Sequence, residues 1–167
     1  MKRSFMIALL SLLGAAAYAQ ADNPKYDKAL ADSLGADEYG MKSYVLVILK
    51  TGSNKVEDKT TLDSLFRGHM TNIERLANNG KLVVAGPLRK NDKTYRGIFI
   101  FNVKTIEEAN ALLITDPAVQ SKLLDAELYQ WYGSAALPEY LKYHERIEKK
   151  KPSKSSQGKM EVKDIST

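Results

Sequence analysis

Residues 44–87 read YVLVILKTGSNKVEDKTTLDSLFRGHMTNIERLANNGKLVVAGP, and three patterns follow one another within them. Tyr44 to Leu49 is an unbroken apolar run rich in strand-forming residues, closed by the turn sequence Thr51-Gly52-Ser53-Asn54, which reads as a strand and its exit. From Leu62 onward, Leu65, Phe66, Met70, Ile73 and Leu76 recur at spacings of three and four, the period of a helix with one buried face. Thr60 with Asp63 three residues on resembles a capping box, and Asn79-Gly80 supplies the stop. Lys81 to Ala85 is a second strand, halted at Gly86-Pro87.

Working outward, a polar hairpin from Arg89 to Thr94 leads into a third strand, Tyr95 to Val103. Thr105 and Glu108 form a further capping box, and Ile106, Ala109 and Leu113 mark a second helix. Asp116-Pro117 interrupts that helix and caps one more turn. Ala126 to Tyr132 is a fourth strand, and Leu137-Pro138 opens a last helix running to about Lys149. The order β-α-β-β-α-β predicts an α+β fold of the ferredoxin-like type. Right-handed crossovers make the first two strands parallel with the third inserted between them. Two helices then cover one face of an antiparallel sheet.

The strands do not alternate apolar and polar residues as a half-solvated sheet requires. Ile98 and Ile100 point one way and Phe99, Phe101 and Val103 the other, and the first strand is apolar on both sides. One appended helix is too little to cover four strands. The expectation is a homodimer joined sheet to sheet in a barrel-like core, in which Glu at whichever of Phe99 or Phe101 pointed away from the helices would break the assembly.

Composition narrows the function classes. The chain has 167 residues, a formal net charge of +5 and no cysteine, so thiol catalysis and cysteine-based metal sites are excluded and an exported chain would rely on its packed core. Lys2 and Arg3 followed by the apolar run Phe5 to Ala17 read as a secretory signal spanning 1–19, with cleavage after Ala19 or Ala21. The run is too short to span a membrane stably. Removing Lys2 and Arg3 lowers +5 to +3, and about 150 mature residues suit one domain. The expected location is the periplasm or the exterior. Residues 20–42 form a leader segment in which Asn23-Pro24 would start a short docking helix ending at Gly35, the alternative being a plain linker. Residues 43–136 are the core domain, 137–149 the C-terminal helix, and 150–167 a basic tail expected to be disordered. Phosphate-binding Gly-rich loops, the Gly-x-Ser-x-Gly elbow and His-Glu-x-x-His are absent. Two isolated histidines give no metal-ligand spacing, and the sheet face has no basic cluster for nucleic acid. No cofactor is called for.

The two histidines, His69 and His144, both lie on apolar helical stripes. A titratable ring among core residues must be satisfied or used. The topology brings the ends of the first and second strands, Gly86-Pro87 and the end of the second helix with Asp116 to one end of the sheet. His69 with Asp116 would then form an acid-base pair, Asp116 orienting the imidazole. The bland alternatives are a satisfied core histidine and an ordinary Asp-Pro helix cap. Gly86 would let backbone approach a ligand, with Pro87 beside it. His144 packs the appended helix, or joins the pocket if that helix caps it. Arg96 and Arg89 flank the hairpin and could hold a carboxylate substrate, or be solvated. Gly68 inside a helix costs about 1 kcal/mol relative to Ala, which a close approach by another element would explain.

Residues 43–134 resemble the YCII-related family of the dimeric α+β barrel group. The likeness is carried by Gly68-His69-Met70 with Ile73-Glu74-Arg75-Leu76, by Gly80-Lys81-Leu82 and Ala85-Gly86-Pro87, by Arg96-Gly97-Ile98-Phe99, by Thr115-Asp116-Pro117-Ala118-Val119, and by Trp131-Tyr132-Gly133-Ser134. The resemblance implies a ferredoxin-like dimer with a pocket around a helix histidine and an aspartate before the last strand, which map to His69 and Asp116. The function expected is a cofactor-independent enzyme acting on a small molecule by a lyase- or isomerase-type proton transfer. The alternatives are a non-catalytic ligand-binding module of the periplasm and, more weakly, a haem-binding barrel with His69 as axial ligand.

Overall fold

The structure, a computed structural model, describes residues 23–149. The stretch 1–19 expected to be a signal, the cleavage positions expected after Ala19 or Ala21, and residues 150–167 expected to form a basic tail lie outside the described residues. Four strands, β1 (Met41–Thr51), β2 (Leu82–Pro87), β3 (Tyr95–Phe101) and β4 (Leu124–Ser134), form one sheet in the order β2-β3-β1-β4. All neighbours are antiparallel, and β3 sits between β1 and β2 as the right-handed crossover predicts. The helices are α1 (Lys28–Leu34), α2 (Lys59–Asn78), α3 (Ile106–Leu113), α4 (Pro117–Gln120) and α5 (Leu141–Ile147). The result is the ferredoxin-like α+β arrangement with an appended C-terminal helix.

Several boundaries shift for local reasons. Asn23-Pro24 does not open α1. Asn23 instead holds a turn, its side chain accepting from the Lys25 N–H at 3.0 Å, and Asp27 caps the helix by accepting from the Leu30 N–H. Asp58 rather than Thr60 caps α2, because its carboxylate accepts from both the N–H and the hydroxyl of Thr61, at 2.8 and 2.6 Å. The box at Thr105 and Glu108 forms in both directions. The last helix begins as a 3-10 turn, Leu137–Tyr140, before α5.

The core lies between the sheet and helices α2 to α4. Val45, Val47 and Leu49 of β1 and Phe99 and Phe101 of β3 pack with Phe66 and Leu76 of α2 and with Ala109, Leu113 and Ala118. Phe99 and Phe101 therefore point toward the helices. The residues pointing away are Leu46, Ile48, Ile98 and Ile100, all half-buried. On that second face Tyr44 is fully buried, its ring 5.5 Å from that of Trp131 and its hydroxyl donating to the Ser134 carbonyl at 2.8 Å. Tyr140 of the 3-10 turn donates to the Val83 carbonyl at 2.5 Å. Among the described residues no helix is long and apolar enough to cross a membrane.

Candidate functional site

Two polar side chains meet in the core. His69 sits midway along α2 on its buried stripe, and Asp116 is the N-cap of α4. His69 Nδ1 lies 2.6 Å from Asp116 Oδ2, with the two side chains only 3% and 1% exposed. An ionised carboxylate only accepts, so Nδ1 carries the proton and donates it. The other oxygen, Oδ1, accepts from the Ala118 N–H at 2.9 Å. Asp116 therefore serves as helix cap and histidine partner together.

Gly68 explains how the two helices come so close. A Cβ there would stand 2.8 Å from Pro117 Cγ, so the missing side chain lets α4 seat against α2 one residue from His69. A second polar tie lies one turn further along α2. The Arg75 guanidinium donates from Nη2 to Asn72 Oδ1 at 2.6 Å and to Thr115 Oγ1 at 2.8 Å. Thr115 precedes Asp116, so this network fixes the segment that presents the carboxylate. Sequence reasoning passed over it. The available signal was Asn72, a polar residue three positions from His69 inside the apolar stripe and 6% exposed.

His69 opens on a cavity of about 150 Å3 between α2 and the ends of β1, β2 and β3. Phe66, Met70, Ile73, Phe99 and Leu124 give it apolar walls, and the imidazole is stacked on Phe99 at 5.9 Å between ring centroids. Ala85, Gly86, Pro87 and Leu88 line the β2 side. Gly97 is paired across from Leu49 and Pro87, and its lack of a side chain leaves room in the cavity. A Cβ at Gly97 would lie 2.9 Å from the Gly86 carbonyl oxygen, whereas one at Gly86 would meet nothing within 4 Å. The position that requires glycine is therefore Gly97. Arg96 also lines the cavity, and its Nε donates to Thr51 Oγ1 at 2.7 Å.

The structure thus places His69, Gly86, Pro87 and Arg96 around one cavity with Asp116 directly behind the imidazole. It does not bring His144 there. His144 is exposed on α5 and does not line the cavity, because α5 does not cap it; Tyr143 and Ile147 of the same helix are 60% and 78% exposed. Arg89 is likewise exposed and outside the cavity. Among the described residues no three His, Asp or Glu side chains are placed to hold a metal ion. A space of about 150 Å3 matches one benzene-sized ring.

The sequence model of the YCII-related domain matches residues 44–132, more than half of the chain. The chain belongs to the YCII-related domain family. Among solved structures it is similar to 5-chloro-2-hydroxyhydroquinone dehydrochlorinase from Burkholderia phenoliruptrix AC1100, determined in complex with 2,5-dihydroxybenzoquinone. That likeness has 15% sequence identity and a TM-score of 0.40, over 52% of this chain and 92% of that one. A comparison with curated proteins returned no match.

Proposed function

We propose that this protein is a cofactor-independent enzyme that moves a proton on a small organic molecule, with His69 as acid-base and Asp116 as the residue that orients it. The observation that carries the reading is the buried 2.6 Å contact between His69 and Asp116 at the wall of an apolar cavity. With Nδ1 held by the carboxylate, exchange with a ligand runs through Nε2. In the proposed step Nε2 takes a proton from an acidic C–H or O–H of the ligand, and the bonding pair stays on the ligand as an enolate or phenolate. Returning the proton at another carbon yields an isomer; expelling a leaving group from the adjacent carbon yields an elimination product. Asp116 keeps the ring oriented and stabilises the imidazolium formed in between.

The proposed setting is outside the cytoplasm, read from the signal-like residues 1–19. The proposed assembly is a homodimer through the second sheet face, supported by the half-buried Leu46, Ile48, Ile98 and Ile100. Solvent deuterium exchange tests the chemistry. Small lactones, ketones and phenols are incubated with the full chain in D2O and followed by NMR. Enzyme-dependent exchange on at least one probe is expected, reduced about a hundredfold or more in His69→Asn. Binding without exchange would instead favour the ligand-binding module.

A further inference from the structure

We infer that Arg75, an exposed cation in the last turn of α2, is a positioning residue for the acid-base pair, acting through Asn72 and Thr115 to keep Asp116 on His69. This deepens the proposed function and rests on reading His69 as its acid-base group. Gly68, His69, Asn72 and Arg75 stand at i, i+1, i+4 and i+7 along α2, which places them on one face of the helix. Residues 115–117 run against that face in the reverse direction. Pro117 meets Gly68, Asp116 bonds His69, and Thr115 bonds Asn72 and Arg75. Asp116 is the middle residue of the three. Its place on His69 is therefore set from one side by the fit of Pro117 and from the other by the bonds of Thr115.

The Thr115 side of this match needs Arg75. A hydroxyl has one proton to give, and the Thr115 hydroxyl has two acceptors in reach, the Leu112 carbonyl at 2.6 Å and Asn72 Oδ1 at 3.0 Å. With the proton on the nearer carbonyl, Thr115 Oγ1 and Asn72 Oδ1 face each other as two acceptors with no proton between them. Arg75 Nη2 carries two N–H groups and gives one to each oxygen, at 2.8 and 2.6 Å. Bonds from a cation are the stronger kind. Without them the hydroxyl turns to the buried Asn72 Oδ1, and its tie to the Leu112 carbonyl at the end of α3 opens. That loosening falls one residue from the carboxylate. Arg75 and Thr115 are both exposed, so a change at either is a surface change that the fold survives.

In the full chain labelled with 15N-histidine, the His69 Nδ1–H proton reports the pair directly and needs no ligand. Arg75→Met keeps an unbranched stem and removes every donor. It is expected to speed exchange of that proton with water about tenfold, the scale of one lost hydrogen bond from a charged group, with the melting temperature nearly unchanged. Thr115→Val keeps the Arg75 charge but removes the hydroxyl, and should give the same acceleration. The double variant should go no further than either single one, because both act on one link. Arg75→Lys should recover part of the protection, since both bonds leave one nitrogen and an ammonium has three donors. Unchanged exchange in Arg75→Met or in Thr115→Val, or two effects that add, would overturn the inference. A lowered melting temperature with the His69 signal untouched would overturn it as well, leaving Arg75 a purely structural tie. Deuterium exchange on the lactone, ketone and phenol probes separates it from the acid-base reading. If Arg75→Met loosens the His69 proton while His69→Asn keeps wild-type exchange on every probe, Arg75 still positions the pair and the proton-transfer role of His69 falls.

Discussion

At Asp116 the two carboxylate oxygens serve different elements, Oδ2 the α2 histidine and Oδ1 the Ala118 N–H of α4. Two substitutions separate these roles. Asp116→Asn keeps a good cap but removes the charge, so it should fold and lose proton transfer. Asp116→Ala loses both, and should cost about 2–4 kcal/mol in urea unfolding, from a cap of about 1 kcal/mol and an unsatisfied buried donor of about 1–3 kcal/mol. A cost of only about 1 kcal/mol would mean that Asp116 is a cap and little else. Much of this was legible in the sequence. A histidine inside an apolar stripe, and an Asp-Pro pair delivered to the same end of the sheet, were both visible as residues. His144 shows where such reading stops. Its stripe with Leu137, Tyr140, Leu141 and Ile147 shows which residues share a face, but burial depends on a partner surface, and α5 leaves Tyr143, His144 and Ile147 exposed.

Elements meet at two places where single changes are informative. Replacing a helical glycine by alanine normally stabilises by about 1 kcal/mol. At Gly68 the sign should reverse, because the new Cβ would stand 2.8 Å from the rigid ring of Pro117 and push α4 away from α2. Thermal unfolding of Gly68→Ala checks this; a raised melting temperature would show that the helices can yield. The leader is tied to β4 by the Tyr132 hydroxyl, which donates to the Asp37 carboxylate. That bond holds the Asp37 carboxyl below its ordinary value of 3.8 and pushes the Tyr132 hydroxyl up to about 12. The stabilisation it gives is therefore present above about pH 4, fades as pH falls through the lowered Asp37 value, and is lost as pH rises from about 10 toward 12. The difference in melting temperature between wild type and Tyr132→Phe should be flat from about pH 5 to 9 and shrink at both ends. It should stay small throughout, since both groups are exposed and salt-screened. Element order and type followed from periodicity and turn residues alone. Strand ends did not: β1 reaches Met41 and β4 reaches Ser134 because backbone pairing continues past the apolar residues that announce a strand. The N-terminus of α2 slipped because Asp58 competes with Thr60 for the same orphan N–H groups.

For the molecule as a whole, the second face of the sheet is the open matter. The absence of alternation along β1 and β3 was readable. The choice of face was not, because two all-apolar faces look alike until the helices are seated. Phe99 and Phe101 belong to the helix side, so Phe99→Glu should unfold the protein. Ile98→Glu or Ile100→Glu, on the opposite face, should leave the fold intact and convert the proposed homodimer to monomer in light scattering. A wild-type protein that runs as a monomer at micromolar concentration would contradict the dimer.

The central claim is that Asp116 holds His69 through Nδ1 and that Nε2 serves the cavity. With only two histidines in the chain, 15N-histidine labelling gives one signal set for the buried ring and one for exposed His144 as an internal control. The expected result is a strongly hydrogen-bonded Nδ1–H signal from His69 that collapses in Asp116→Asn. A shift of His69 Nε2, with His144 unmoved, is also expected when a lactone, ketone or phenol that shows enzyme-dependent exchange is added. A His69 Nδ1–H signal indifferent to Asp116→Asn, together with ring nitrogens that ignore the ligand, would contradict it.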